Sequence, residues 1–268
     1  VAFKLIIIGG GRIGSALAAG LLSAEWCQAS ELAIIESSLE TRQELERRFN
    51  GVTVLASTEL ADVDAQTGVV LCVKPDHAES AARGAGATGA VRLLSVVAGL
   101  SAARLEAVLP GPVAVVRSMP NIPVLVQKGA SAIAGGSNVT AADLDWAESI
   151  LGAVGTVVRV TERNLDVVTG LSGSMPGYLY LVIESLIEAG VHQGLSRDVS
   201  RQLVVDTFEG SVALLKETGE SPEELRAQVT SPGGTTAAGL RVLENRAVRA
   251  AFLDAVAAAA ERSRQLGR

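Results

Sequence analysis

The chain has 268 residues, 48% of them hydrophobic and 19% charged, with 23 Lys and Arg against 29 Asp and Glu for a net charge of -6. That composition excludes a disordered chain, and the acidic balance argues against a polyanion such as nucleic acid as partner. At roughly 150 residues per domain, the length accommodates one sizeable domain and a smaller one.

Two cysteines occur, Cys27 and Cys72. Cys72 lies in the apolar run Val69 to Val73, so it reads as a buried strand thiol, with a redox pair as the alternative. The longest apolar stretches, Leu5 to Ile8, Leu179 to Ile183 and Ala255 to Ala260, fall far short of the roughly 18 residues a membrane span needs, so no membrane partner is expected. Phe3 to Gly9 is too short for a signal-peptide core, and the expected compartment is cytoplasmic.

In chain order, short β-rich runs are expected at Ala2 to Ile8, Leu32 to Ile35, Val52 to Leu55, Val69 to Val73, Val91 to Val96, Val113 to Val116, Ser131 to Ala134 and Thr156 to Val160. They alternate with helical stretches, as a parallel sheet covered on both faces requires. Between the first two runs Ile13, Leu17 and Leu21 recur every four residues and give a helix one apolar stripe. Past residue 161 the strands stop. Residues 162–190 read as a long helix interrupted near Gly170 to Gly177, Arg197 to Lys216 as another, and Thr235 to Leu266 as one or two more. Ser196 can cap the second of these, and Ser221-Pro222-Glu223-Glu224 carries the cap, the N1 proline and the N3 glutamate of a capping box. The expected domains are 1–160 and 161–268. The run Leu179 to Ile187 is apolar around nearly its whole circumference and must be covered on all sides. A second subunit would cover it; the centre of a monomeric bundle is the alternative.

Gly9, Gly11 and Gly14 have the spacing G-x-G-x-x-G, directly after a buried strand and at the opening of a helix. The spacing calls for a tight turn at Gly9, close backbone approach to a pyrophosphate at Gly11 and close helix packing at Gly14, with Arg12 and Ile13 between them. The phosphates then lie on the helix N-terminus. Glu36 ends the second strand, where a carboxylate accepts hydrogen bonds from adenosine ribose hydroxyls and repels a 2'-phosphate. Ser37 and Ser38 follow, with no arginine before Arg42, so the chemistry leans to NADH over NADPH; a solvated strand-end glutamate is the alternative reading. Val73-Lys74-Pro75 closes the fourth strand, with Lys74 held extended by Pro75 and placed at the dinucleotide crevice, or else simply a snorkelling strand-end lysine.

The reaction site is narrowed by what is missing. The two histidines, His77 and His192, do not stand beside a plausible catalytic partner carboxylate, and the only lysines are Lys4, Lys74, Lys128 and Lys216. Neither a His-Asp pair nor a lysine acid for alcohol oxidation is on offer. No Cys, His and carboxylate cluster has metal-ligand spacing, so no metal is expected. The one polar, glycine-rich stretch of the helical half is Thr230-Ser231-Pro232-Gly233-Gly234-Thr235-Thr236. Backbone amides of such a loop at a helix start bind a small carboxylate without a cation, and the Thr235 and Thr236 hydroxyls add neutral donors. That suits reduction of a carbon-nitrogen double bond; an ordinary turn and helix cap is the alternative.

Over essentially its whole length the chain resembles the pyrroline-5-carboxylate reductases. The likeness rests on Gly9 to Gly14, Val73-Lys74-Pro75, Val97-Ala98-Gly99-Leu100, Arg117 to Pro123, Ser172-Gly173-Ser174, and Ser231 to Thr236 with Leu243-Glu244 beyond. The resemblance implies an α/β fold: an N-terminal Rossmann-like doubly wound sheet followed by an all-helical C-terminal dimerisation domain, with an active site shared between subunits of a homodimer, often in a decamer. It implies reduction of the C=N bond of 1-pyrroline-5-carboxylate, a small cyclic imino acid, to L-proline with NAD(P)H. Carried over by residue, Thr236 is the catalytic hydroxyl near the ring nitrogen. Ser231, Gly233, Gly234 and Thr235 hold the substrate carboxylate, with Asn121 also at the substrate. Met119, Pro120 and Asn121 line the nicotinamide, and Val73, Lys74, Pro75 and Ala98 follow the cofactor.

The chain departs from the family pattern after Ser174. Met175-Pro176-Gly177-Tyr178 stands where Gly-Pro-Ala-Tyr is usual, Ser37 where many members carry a basic residue, and Ile122 where many carry Thr. Two other readings follow: a paralogue reducing another cyclic imino acid, with Met175 reshaping the pocket, or a non-catalytic NAD(P)-binding regulatory protein.

Overall fold

The structure, a computed structural model, describes residues 3–61, 63–64 and 66–267. Its strands are β1 (Leu5–Ile8), β2 (Leu32–Ile35), β3 (Thr53–Leu55), β4 (Gly68–Leu71), β5 (Arg92–Ser95), β6 (Ala114–Met119), β7 (Gly129–Gly135) and β8 (Gly155–Arg159). They form one sheet in the order β3-β2-β1-β4-β5-β6-β7-β8. Of the first expected strand, Ala2 lies outside the described residues; Cys72 and Val73 fall just past β4, and β6 and β7 run longer than expected.

All neighbouring strands are parallel except β6 and β7, which are antiparallel. The expected parallel run breaks there because only a 3-10 turn at Ile122–Val126 separates the two strands. A parallel return needs a crossover of a dozen residues or more.

Helices α1 (Arg12–Ser23), α2 (Leu39–Arg48), α3 (Pro75–Ala87), α4 (Ala102–Val108) and α5 (Ala141–Gly152) cover the sheet. Side chains alternate across a strand, so β1 sends Leu5 and Ile7 to one face with Leu17, Leu21, Trp146 and Ile150, and Ile6 and Ile8 to the other with Ala78, Ala82 and Leu105. Both faces are buried, which is why β1, β2 and β4 read as unbroken apolar runs. Ser38, Ser101 and Thr140 cap α2, α4 and α5 with their hydroxyls.

After β8 come a 3-10 turn at Glu162–Asn164, α6 (Leu165–Val168), a π-turn at Thr169–Gly173, α7 (Met175–His192), α8 (Arg197–Thr218), α9 (Pro222–Gln228), α10 (Thr235–Asn245) and α11 (Val248–Leu266). The chain parts into two compact units between Ser174 and Met175, and the segment from Ala257 rejoins the first. The sheet does end near the expected boundary at 160, but the unit does not. Leu165 is buried with Ala132 and Ala134 of β7, Glu162 Oε1 accepts the Ala102 amide (2.7 Å) and pairs with Arg117 (2.8 Å), and Ser263 donates to Asp166 at 2.6 Å. These contacts bind 162–174 and the end of α11 to the sheet.

Within the second unit α7 and α8 form a hairpin. They approach closely where Gly190 meets Ser200: a Cβ at 190 would lie 2.6 Å from Oγ of Ser200 and 3.0 Å from its Cβ. Capping at Ser196 and the capping box at Ser221 form as the sequence predicts. The long helical stretch from Thr235 breaks at Ala247, which takes a left-handed φ of 54°.

Candidate active site

The strand order reverses between β1 and β4, and an α/β sheet binds its ligand at the carboxyl ends of strands at such a point. There the Gly9 amide donates to Ile35 O (2.8 Å) and the Cys72 amide to Ile8 O (2.7 Å). Two of the three fingerprint glycines are required by the chain itself. Gly9 has a φ of +104° and its Cβ would stand 2.5 Å from the Cys72 carbonyl oxygen; a Cβ at Gly14 would stand 2.0 Å from that of Gly9. Gly11 is different, since a Cβ there would meet nothing within 4 Å. Nothing within the described chain requires a glycine there.

Gly11 is also the N-cap of α1 and supplies no side-chain cap. The first helical bond returning to it comes from Ser15 (2.9 Å), so the amides of Arg12, Ile13 and Gly14 are the orphan donors of the helix start. They suit a pyrophosphate. The Arg12 side chain is exposed, while Ile13 packs against the core.

A cavity of about 610 Å³ opens beside Gly11, and its walls include Gly9, Gly11, Glu36, Val73 and Lys74, while Arg12 lines a separate cavity of about 440 Å³ with Gly10 and Gly11. Residues from four expected elements thus meet in one crevice. Ser57, Thr58, His77 and Ser80 line it too; they follow β3 and β4, and the rule that ligands lie beyond strand ends was the signal that could have found them. Lys74 is exposed and extended (φ -65°, ψ 151°), with Pro75 opening α3 after it. Cys72 also lines the crevice, but burial pushes its thiol up, so it stays protonated. Both cysteines are free.

Glu36 is engaged within the chain. Its Oε2 accepts the Gly10 amide at 3.0 Å, and its Oε1 accepts the Ser38 amide at 2.9 Å and the Ser37 hydroxyl at 3.4 Å. The carboxylate therefore ties the β2 turn to the glycine loop. A carboxylate has about four lone-pair sites, which leaves room for a ribose hydroxyl.

The remaining first-unit candidates fall in other places. Pro75 and Ala98 line a separate cavity of about 310 Å³ with Gly99 and Leu266. Met119 ends β6, and its Cε would lie 2.4 Å from a Cβ at position 173, so Gly173 makes room for it. Pro120 is buried next to it. Asn121 is engaged at both ends of its amide: Oδ1 accepts the Ala130 amide (2.9 Å) and Nδ2 donates to the Ser172 hydroxyl (3.3 Å). The Ser172-Gly173-Ser174 motif thus acts as a support for Met119 and Asn121.

The second unit holds the 231–236 loop. The Gly234 amide closes a turn onto Ser231 O (3.0 Å), with Gly233 left-handed at φ +69°. Gly234 is the N-cap of α10 without a side-chain cap, and the Ala238 amide returns to it at 3.1 Å. The amides of Thr235, Thr236 and Ala237 are therefore free of intrahelical partners. Among the described residues neither threonine hydroxyl makes a hydrogen bond. Thr236 is half-buried and Thr235 exposed.

Residues 162–266 match a family model described as pyrroline-5-carboxylate reductase dimerisation, and residues 4–99 one described as NADP oxidoreductase, coenzyme F420-dependent. The pyrroline-5-carboxylate reductase of Corynebacterium melassecola is 41% identical over 98% of both chains. The chain belongs to the pyrroline-5-carboxylate reductase family. Among solved structures, the Coxiella burnetii reductase matches over 100% of both chains at 29% identity and a TM-score of 0.92. The Plasmodium falciparum reductase, with NADP bound, matches over 99% of this chain and 98% of its own at 33% identity and a TM-score of 0.85. NAD(P)H is the cofactor these likenesses support, and the open space at Gly11 with the free amides behind it fits one. Against the reductase pattern, Met175 opens α7 half-buried. A Cβ at Gly177 would meet no atom within 4 Å, so the missing methyl there leaves no gap inside the chain.

Proposed function

We propose that this chain reduces 1-pyrroline-5-carboxylate to L-proline, with the 231–236 loop as the substrate cradle and the Gly9 crevice as the dinucleotide site. The observation that carries it is the start of α10: three free amides and two unengaged threonine hydroxyls with no lysine or histidine in the segment. Amides at a helix start hold the substrate carboxylate, and the local positive potential substitutes for a cation. Ser231 and the two glycines shape the loop. The Thr236 hydroxyl, a poor acid at neutral pH, orients the ring nitrogen by a hydrogen bond while that nitrogen carries its proton or receives it from water. A reduced nicotinamide held in the crevice would supply the hydride; with one proton on the nitrogen, already carried or taken from water, the C=N bond would become C-N with a new C-H and the nitrogen left as N-H. Gly9, Gly11, Arg12, Ile13 and Gly14 seat the pyrophosphate and Glu36 the ribose; Val73, Lys74, Pro75 and Ala98 follow the cofactor, and Met119, Pro120 and Asn121 line the nicotinamide, with Asn121 also at the substrate.

NADH is the preferred cofactor, on the strength of Glu36 and of Ser37 in place of a base. The protein works as a homodimer in the cytoplasm, and the resemblance extends that to a decamer. Support for the dimer comes from α7 and α11, where Tyr180, Leu181 and Leu253 are 61%, 64% and 72% exposed in the single chain.

The test follows NADH and NADPH oxidation with pyrroline-5-carboxylate and with its six-membered analogue. Turnover of the five-membered ring is expected. Preference for the larger ring would favour the paralogue reading that Met175 suggests, and turnover of neither ring would overturn the reductase reading. Thr236→Ala should lower kcat by about a hundredfold, in the range for a lost transition-state donor, with NADH affinity changed far less; equal losses in both would remove Thr236 from its role.

A further inference from the structure

Arg42 stands five positions past Ser37 in sequence but not in space. The turn after β2 is only Glu36 to Ser38, because Ser38 already caps α2 through the Thr41 amide (3.3 Å). Arg42 therefore sits one helical turn above Ser38, with its amide on Ser38 O at 3.0 Å. Its side chain folds back over the strand end: Nη1 donates to Glu36 O and to Ser37 O, each at 2.8 Å. Glu36 and Ser37 are walls of the 610 Å³ crevice. The guanidinium is thus held against the strand-end carbonyls of two residues that wall the crevice, although Arg42 does not itself line it.

Two further features bear on its use. The two carbonyls occupy one nitrogen of a fork with five donors, and among the described residues Nε and Nη2 have no acceptor. The carboxylate of Glu36 is turned the other way, onto the Gly10 and Ser38 amides, and makes no ion pair with Arg42. Beside the crevice there is therefore a guanidinium with no ion-pair partner among the described residues, next to a carboxylate whose oxygens are already hydrogen-bonded.

We infer that Arg42 is the specificity-determining residue that lets this crevice accept a dinucleotide with a 2'-phosphate on its adenosine ribose, so that NADPH is used beside NADH. The inference rests on the dinucleotide reading of the crevice. A guanidinium meets phosphate through paired, charge-assisted hydrogen bonds, which a lysine at the same place cannot reproduce.

The experiment compares kcat/KM for NADPH with kcat/KM for NADH in the full-length wild type, Arg42→Ala and Arg42→Lys, at low and high salt. Arg42→Ala should lower the NADPH to NADH ratio about tenfold, Arg42→Lys by a smaller factor, and the ratio in the wild type should fall with salt while that of Arg42→Ala does not. A ratio that moves less than twofold in Arg42→Ala would make Arg42 a staple of the β2 turn and overturn the inference, whether or not both constants fall together. A wild type that binds neither dinucleotide would instead overturn the dinucleotide reading itself, and this inference with it.

Discussion

The sheet and the α7 to α10 helices use their apolar residues in opposite ways. Leu5, Ile7, Leu32, Ile34, Leu71, Leu93 and Leu94 are fully covered by the chain's own α1 to α5. In α7 only Pro176 is buried, in α8 only Ser200, and in α9 and α10 nothing is. One unit completes its core alone, and the other leaves Leu181, Leu203 and Leu253 largely exposed in the single chain. Burial of a leucine contributes roughly 1.5–3 kcal/mol, so the two units draw stability from different sources.

The same substitution in both places tests this most directly. Leu94→Ala should cost about 2–5 kcal/mol, the range for an internal cavity, and the loss in a denaturant melt should not depend on protein concentration. Leu181→Ala should cost less per chain, about 1–2 kcal/mol at an interface, and the loss should grow on dilution, because a subunit contact stabilises by mass action. A Leu181→Ala melt that ignores concentration, with the sedimentation coefficient unchanged, would break the contrast.

Within the sheet unit a smaller effect is expected of Ser263→Ala. It removes the 2.6 Å hydrogen bond to Asp166 that ties the end of α11 to the sheet unit, and should cost roughly 1–1.5 kcal/mol independently of dilution. Smaller still is Ser221→Ala, which removes half of the α9 capping box at about 1 kcal/mol. The Glu224 carboxyl of that box lies below the usual range, chiefly because it accepts the Ser221 amide and then its hydroxyl. A lowered folded value means stability that is present above the unfolded value, about 4.3, and lost as pH falls through the folded one. The stability difference between wild type and Glu224→Gln should therefore hold at neutral pH, shrink below about pH 4.3 and vanish in stronger acid, as read by chemical denaturation along a pH series.

Periodicity and punctuation carried much of this molecule. The apolar runs of β1, β2 and β4 mark buried parallel strands because both their faces are covered, and Ser196 and Ser221 mark helix starts because capping is a contact over three residues. The fingerprint was legible partly for the same reason, since Gly14 answers to Gly9 five residues away and Gly9 to its own positive φ, although the carbonyl that crowds Gly9 is that of distant Cys72. Other features depended on contacts distant in sequence. Nothing near Leu165 or Asp166 says that one is buried against β7 and the other hydrogen-bonded to Ser263, so the unit boundary at Ser174 was beyond a reading of composition. The antiparallel β7 was hidden because its short connection has no marker of direction, and the support of Asn121 by Ser172 joins residues far apart in the chain.

The amino-acid order by itself determined the strands, the caps, the glycine turn and the threonine loop, since each depends on neighbours within one turn or one strand. The folded chain decided how two opposite charges would be placed beside the crevice. In sequence Glu36 stands at the strand end and Arg42 stands apart; in space the carboxylate turns onto Gly10 while the guanidinium lies across the strand-end carbonyls. A helix brings residues four apart onto one face, and only the short turn that starts α2 at Leu39 brings that face to the strand end.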